Sequence, residues 1–174
     1  PDGIFEGNQV TCTGQTQAGG MVYWRGLVTG NRFTGTTAYS TAVRLSNDEC
    51  VVTDNVMLTV LKGVYGVGYN RCIISNNYID ADGNVAGFGI DNDGGNGCVY
   101  QGNVIRAGST SGVGIDAGTG SNCSITGNYI GLGSSGINID ATGASNVVTG
   151  NTLANSATID DAGTDTAIGI NTEA

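Results

Sequence analysis

Apolar and polar positions recur along this chain with a period of 22–26 residues. Anchored on Asn8, Asn31, Asn55, Asn77, Asn103, Asn128 and Asn151, successive copies lie 23, 24, 22, 26, 25 and 23 residues apart. The clearest copies read CIISNNYI (Cys72 to Ile79), CVYQGNVI (Cys98 to Ile105), CSITGNYI (Cys123 to Ile130) and NVVTGNTL (Asn146 to Leu153). Three residues before each anchor stands an apolar residue: Phe5, Val28, Val52, Ile74, Tyr100, Ile125 and Val148. Two after it stand Val10, Phe33, Met57, Ile79, Ile105, Ile130 and Leu153. Immediately before it stands Gly, Asp or Asn, the residues that tolerate positive φ. Each copy therefore predicts a short strand, a bend at a left-handed residue, and a second short strand. A second alternating pair follows about halfway along most copies: Val43-x-Leu45, Val67-x-Tyr69, Phe88-x-Ile90, Val113-x-Ile115, Ile137-x-Ile139 and Ile168-x-Ile170. Its period of 2 is a strand signal. No segment of a dozen residues carries a 3.6 period, so little or no helix is expected.

Short strands at a fixed long period, joined by Gly/Asn/Ser/Thr turns, predict a coil that stacks on itself. In-register stacking places identical columns about 4.7–4.9 Å apart. The apolar columns then form an interior that no single coil could bury alone. The Asn column forms an amide ladder, since a buried amide without partners costs roughly 1–3 kcal/mol. The fold expected is all-β, a parallel β-helix (β-solenoid) of about seven coils, forming one domain over residues 1–174. The copies near residues 11–47 and 156–167 are irregular and fit looped coils less well.

The Gly-Asn-x-Ile turn after an apolar strand, the Asn ladder and the inward aliphatic stacks resemble the right-handed parallel β-helix repeat of the pectin-lyase-like superfamily. Right-handedness is what the resemblance implies. That superfamily includes polysaccharide lyases, glycoside hydrolases, bacteriophage tailspikes, adhesins and structural modules. The likeness covers almost the full length but rests on scaffold residues, so it implies fold more than function. It is closest in character to a section of a tailspike or a related extracellular β-helix.

Composition narrows the chemistry. The 174 residues weigh 17.5 kDa, with 12% charged, 39% hydrophobic, 31 Gly and one Pro. Collagen is excluded by the scarcity of Pro, and ordinary disorder by the apolar content. No apolar run is long enough for a membrane-spanning helix, so no membrane insertion is expected. Pro1 begins neither a signal peptide nor a Met-initiated chain, so a processed chain or fragment is expected. Six Lys+Arg against fifteen Asp+Glu leave a net charge of −9, which repels nucleic acid. Histidine is absent, which excludes Ser-His, Cys-His and His-metal mechanisms. The five Cys hold no CxxC pair, so no metal site or cofactor is expected.

Four columns invite function. Cys50, Cys72, Cys98 and Cys123 stand five before successive anchors and read as a ladder of buried thiols acting as small hydrophobes. A disulfide, a metal or a nucleophile remain the alternatives, and Cys12 is off-register. The column four before the anchor (Ile4, Leu27, Val51, Ile73, Val99, Ser124 and Val147) points opposite to the interior. It predicts a lateral oligomer interface on Leu27, Val51, Ile73, Val99 and Val147, or simply an exposed sheet of high β-propensity. After the second apolar pair come Asn70, Asp91, Asp116, Asp140 and Asn171, with Gly68, Gly89, Gly114, Asn138 and Gly169 expected beside them on the outer face. Gly would let a ligand approach the backbone. Carboxylates one or two coils apart would fall near the about 5–5.5 Å or 6.5–9.5 Å that glycosidases need. The same column also reads as plain turn chemistry. Tyr78 and Tyr129, one after the anchor, point outward and could stack on sugar rings.

Asp80-Ala81-Asp82-Gly83-Asn84 and Asp91-Asn92-Asp93-Gly94 resemble calcium loops but lack the terminal acidic ligand. Arg71 and Arg106 are isolated cations with no lyase motif around them. The leading expectation is a structural, surface-binding module, extracellular or on a virion. It would contact cell-surface glycan or neighbouring subunits, as a homotrimer or within an assembly. The runner-up is a polysaccharide hydrolase using Asp91, Asp116 and Asp140. A third reading is an end-to-end solenoid filament or coat subunit, because no capping helix is visible at either end.

Overall fold

A computed structural model describes residues 2–12, 22–35, 40–81, 87–108, 111–131, 135–154 and 157–173. It is all-β, with no α-helix among the described residues and every strand pairing parallel. No helix there is long and apolar enough to cross a membrane. Three faces wind around one interior. Face A stacks the strands Asp2–Glu6, Val22–Thr29 (second half), Val51–Thr53, Ile73–Ser75, Val99–Gln101, Ser124–Thr126, Val147–Thr149 and Ala167–Ile168. Face B is an eight-stranded sheet running from Gln9–Cys12 to Thr172–Glu173. Face C runs from the first half of Val22–Thr29 through Thr41–Leu45, Lys62–Val67, Phe88–Asp93, Val113–Gly118 and Ser135–Ile139 to Ile159–Asp161.

The bend from face A to face B is the one the repeat announces. The residue before each of the seven anchors has φ between 55° and 68°: Gly7, Gly30, Asp54, Asn76, Gly102, Gly127 and Gly150. Each anchor side chain then accepts from the coil before it. Oδ1 of Asn31, Asn55, Asn77, Asn103, Asn128 and Asn151 takes the backbone N–H of the preceding anchor at 2.8–3.0 Å. Each Nδ2 donates back to a strand carbonyl, as Asn103 does to Ile74 at 2.9 Å. The amides are buried and mutually satisfied, which removes their desolvation cost.

Asn171 is an eighth rung of this ladder, accepting from Asn151 N at 3.0 Å. The sequence expectation placed it beside the acidic column, with Ile168 and Ile170 as a core pair. In fact Ile168 pairs with Val148 on face A, and Ile168 and Ile170 are exposed. The last step is only 20 residues long, so the expected register slips there.

The interior is three aliphatic stacks. Val28, Val52, Ile74, Tyr100, Ile125 and Val148 come from face A; Phe33, Met57, Ile79, Ile105, Ile130 and Leu153 come from face B. Face C contributes Val43, Val64, Ile90, Ile115 and Ile137 in register. Val64, not Val67, is the member of that column; Val67 pairs with Asp93 and is 58% exposed.

A second left-handed bend joins face C to face A. Glu49, Arg71, Gly97, Asn122, Ser145 and Asp165 have φ between 53° and 64°. A second polar ladder runs beside it, in which Asn70, Asn96, Ser121 and Ala144 N–H groups donate to the side chains of Asp48, Asn70, Asn96 and Ser121. Asn70 belongs to this ladder, while Tyr65 is the residue in register with Asp91.

Candidate functional site

The outer surface of face A carries one uninterrupted register: Ile4, Leu27, Val51, Ile73, Val99, Ser124, Val147 and Ala167. None of the eight is charged, in a chain of net charge −9. Ile4 is 65% exposed, Ile73 40% and Val147 43%, while Leu27, Val51 and Val99 are half-buried. Across the Asn bend, face B presents Val56, Tyr78, Val104, Tyr129 and Thr152 in register. Tyr78, Val104 and Tyr129 are exposed. The two tyrosines are therefore two coils apart with Val104 between them.

Face C holds the acidic column. Tyr65, Asp91, Asp116, Asn138 and Asp160 are in register. Asp140 is not part of it: the regular register sets Asn138 opposite Asp116, the register shifts only beyond that pair, and Asp140 lies two residues further on, exposed. The Asn138 amide links them, donating to Asp116 Oδ1 at 3.0 Å and Asp140 Oδ1 at 3.3 Å. Asp91 is ion-paired to Lys62 Nζ at 2.5 Å, both side chains being mostly buried. Lys62 lies over the Tyr65 ring at 4.1 Å and the Phe88 ring at 5.1 Å, and the Arg44 guanidinium adds a 5.2 Å contact with Tyr65. Burial pushes the Asp116 carboxyl up, the Asn138 hydrogen bond opposes this, and Asp91, Asp93 and Asp140 push it further up. Adjacent coils thus hold one carboxyl group ion-paired to Lys62 and one whose burial raises its pKa.

Gly89 and Gly114 do not line this column from outside. A Cβ on Gly89 would meet Ile105 Cγ2 at 2.4 Å, and one on Gly114 would meet Ile130 Cγ2 at 2.4 Å. Each faces the interior, as does its neighbour Ile90 or Ile115. Simple alternation fails because two consecutive residues face the interior here, and Gly permits the close approach.

The calcium-like loops dissolve differently. Asp82, Gly83 and Asn84 lie outside the described residues, and Asp80 meets Arg106 at 3.5 Å. Asn92 turns inward and is fully buried. Arg71 is spent on Glu49 at 3.0 Å and Asp48 at 3.8 Å. A cleft at the last coil, lined in part by Leu153, Ile159, Ile168 and Asn171, carries no titratable side chain.

All five cysteines are buried and none forms a disulfide. Cys50, Cys72, Cys98 and Cys123 form the inward column expected, each directly after a second-bend residue. Sequence reasoning missed what surrounds Cys98: Asn92 Nδ2 at 3.5 Å, and the Tyr100 hydroxyl, itself 3.3 Å from that Nδ2. Tyr100 was legible only as one more apolar residue in its column.

Among known proteins, the family model described as periplasmic copper-binding protein (NosD) matches residues 5–172. Neither the curated proteins nor the solved structures yielded a match. The coil is thus a right-handed parallel β-solenoid related to the NosD and pectin-lyase-like superfamily, and not specifically a tailspike.

Proposed function

The chain belongs to the NosD family, and we propose that it is a structural β-helix module that docks side by side with a neighbouring copy through face A. The observation that carries this is the charge-free column from Ile4 to Ala167, aliphatic at six of the seven positions before the terminal Ala167. Soluble monomers rarely leave such a continuous apolar strip in water. Burying it gains roughly 25 cal/mol per Å², and a strip free of carboxylates lets two chains of like charge approach. The family's description as periplasmic supports a place outside the cytoplasm.

Light scattering on a sizing column tests the docking. The parent is expected at a multiple of 17.5 kDa, and Ile73→Lys/Val147→Lys at the monomer mass. A parent that stays monomeric at high concentration refutes the lateral interface. The second reading, a hydrolase acting on polysaccharide, is favoured by Asp91 and Asp116 alone. It predicts glycan cleavage that Asp116→Asn abolishes. Cleavage unchanged in that variant removes it.

Copper, named in the family's description, must be weighed against the side chains present. The chain has no histidine. Among the described residues, no group of three or more His, Cys, Asp and Glu side chains could hold a metal ion. Met57 is buried in the apolar core. A copper site of three or more ligands is not what these residues offer.

A further inference from the structure

Face A presents two files of side chains to solvent, and neither is uniform along the solenoid. The aliphatic file runs Ile4, Leu27, Val51, Ile73, Val99, Ser124, Val147 and Ala167. Two residues further along each strand runs a second file of Glu6, Thr29, Thr53, Ser75, Gln101, Thr126 and Thr149. Gly169 extends it, since a Cβ there would point at the Thr149 hydroxyl. The hydroxyls also link along the stack, Ser75 donating to Thr53 Oγ1 at 3.1 Å. Glu6 is the one charged residue in either file. The aliphatic file tapers: Ile4 and Leu27 open it, whereas Ser124 and Ala167 fall among its last three members.

Two copies related by a two-fold axis present the same patch to each other. Two orientations keep such solenoids side by side. With the axis along the solenoid, the copies run the same way and strand direction reverses across the interface. One file can then meet its own kind, and the other is left on the flank or against the wrong file. With the axis along the strands, the copies run in opposite directions and each file lies on its own counterpart.

Resting on the docking proposed above, we infer that the two copies run in opposite directions, aliphatic file on aliphatic file and hydroxyl file on hydroxyl file. Full overlap sets Ile4 against Ala167, Leu27 against Val147, Val51 against Ser124 and Ile73 against Val99. Large faces small, so the sheets keep one even separation of roughly 10 Å, as packed sheets do. Copies running the same way set Ile4 on Ile4 and Ala167 on Ala167, which holds the faces apart at one end and forfeits van der Waals contact at the other. In the opposed pair Gln101 faces Ser75, an amide against a hydroxyl, at the middle of the strip. Each Glu6 faces Gly169, which has no side chain, and the two carboxylates stand seven rungs apart, about 33–34 Å. Salt screens repulsion over that distance. Copies running the same way bring both carboxylates to one end of the interface.

Leu27→Cys and Val147→Cys test the orientation separately from the docking. The five native thiols are at most 1% exposed and stay unmodified in the folded chain. Positions 27 and 147 lie five rungs apart, about 24 Å, so a bis-maleimide that bridges roughly 10 Å cannot span them between copies running the same way. The two variants are mixed, equilibrated and treated with that reagent, each is also treated alone, and light scattering reads the mass beforehand. A mass of twice 17.5 kDa is expected, with covalent dimer in the mixture and none in either variant alone. Covalent dimer in either variant alone overturns the opposed orientation and leaves the docking standing. A dimer that cross-links in no sample overturns face A as the contact. A mass of three chains overturns the two-fold pairing. A monomer at every concentration overturns the docking itself, and this inference with it.

Discussion

Removing one amide from the middle of the ladder should cost several times more than removing one at its edge. Asn103 is fully buried. Its Oδ1 accepts Asn77 N at 3.0 Å and Asn77 Nδ2 at 3.1 Å, and its Nδ2 donates to Ile74 O at 2.9 Å and Asn128 Oδ1 at 3.0 Å. Asn103→Ala strips all four bonds. Asn77 Nδ2 keeps Val52 O and Ser75 O, and Asn128 Oδ1 keeps Asn103 N, so these losses are partial. The buried Asn77 N–H loses its side-chain acceptor, a penalty of about 1–3 kcal/mol. A weakened Ile74 carbonyl and a cavity of a few atoms raise the total to about 3–4 kcal/mol. The Asn8 side chain, exposed at the first coil, donates among the described residues to Glu6 O and Asn31 Oδ1, so Asn8→Ala should cost about 0.5–1 kcal/mol. Urea unfolding followed by circular dichroism measures both. Equal costs for the two variants, or a cost below about 1 kcal/mol for Asn103→Ala, would refute the idea that mutual amide burial stabilises the stack.

Three further outcomes are expected. Gly114→Ala places a methyl 2.4 Å from Ile130 Cγ2 and 2.5 Å from Gly136 O, and should lower stability by about 2 kcal/mol or more; Gly127→Ala, in open space at φ +64°, should cost only about 1 kcal/mol in the same urea titration. Lys62→Met leaves the mostly buried Asp91 carboxylate without its ion pair and should cost about 3 kcal/mol, most of it recovered in Lys62→Met/Asp91→Asn; a neutral Lys62→Met would mean that solvent already screens the pair. Because the Asp116 pKa is raised in the fold, its ionisation works against folding: the stability it contributes is present below the unfolded value near about 3.9 and is lost as pH rises through the folded value. Asn at that position keeps an acceptor for Gly118 N and Asn138, so Asp116→Asn should be at least as stable as the parent at pH 7 by thermal melting, with the advantage fading below about pH 4.

Some residues announce themselves because only one side chain can perform their task. The anchor must accept from one coil and donate to another within a bend, which is why Asn recurs and why the period, the first bend and two aliphatic stacks could be read directly. The thiol column and the apolar outer column of face A followed from the same register. Face C could not be aligned in that way. Its strands are reached by connections of unequal length, and alternation breaks where Gly89 and Gly114 face inward against Ile105 and Ile130. Period-2 alternation therefore put those glycines on the wrong side, took Val67 in place of Val64, and paired Asp140 where Asn138 stands. The second bend was hidden because Glu49, Arg71, Asn122, Ser145 and Asp165 share a backbone angle but no side-chain chemistry.

The sequence by itself determined the solenoid, its all-β character, its ladder and the absence of histidine chemistry. These depend on residue identity repeated at a near-constant step, and stacking copies of one coil leaves little freedom. Only the tertiary structure decided which groups from different coils meet: Lys62 with Asp91, Asn138 with Asp116, and Asn92 and Tyr100 with Cys98. Those contacts depend on which positions the strand register of face C sets beside one another, and a slip of one residue would turn a side chain from solvent to core.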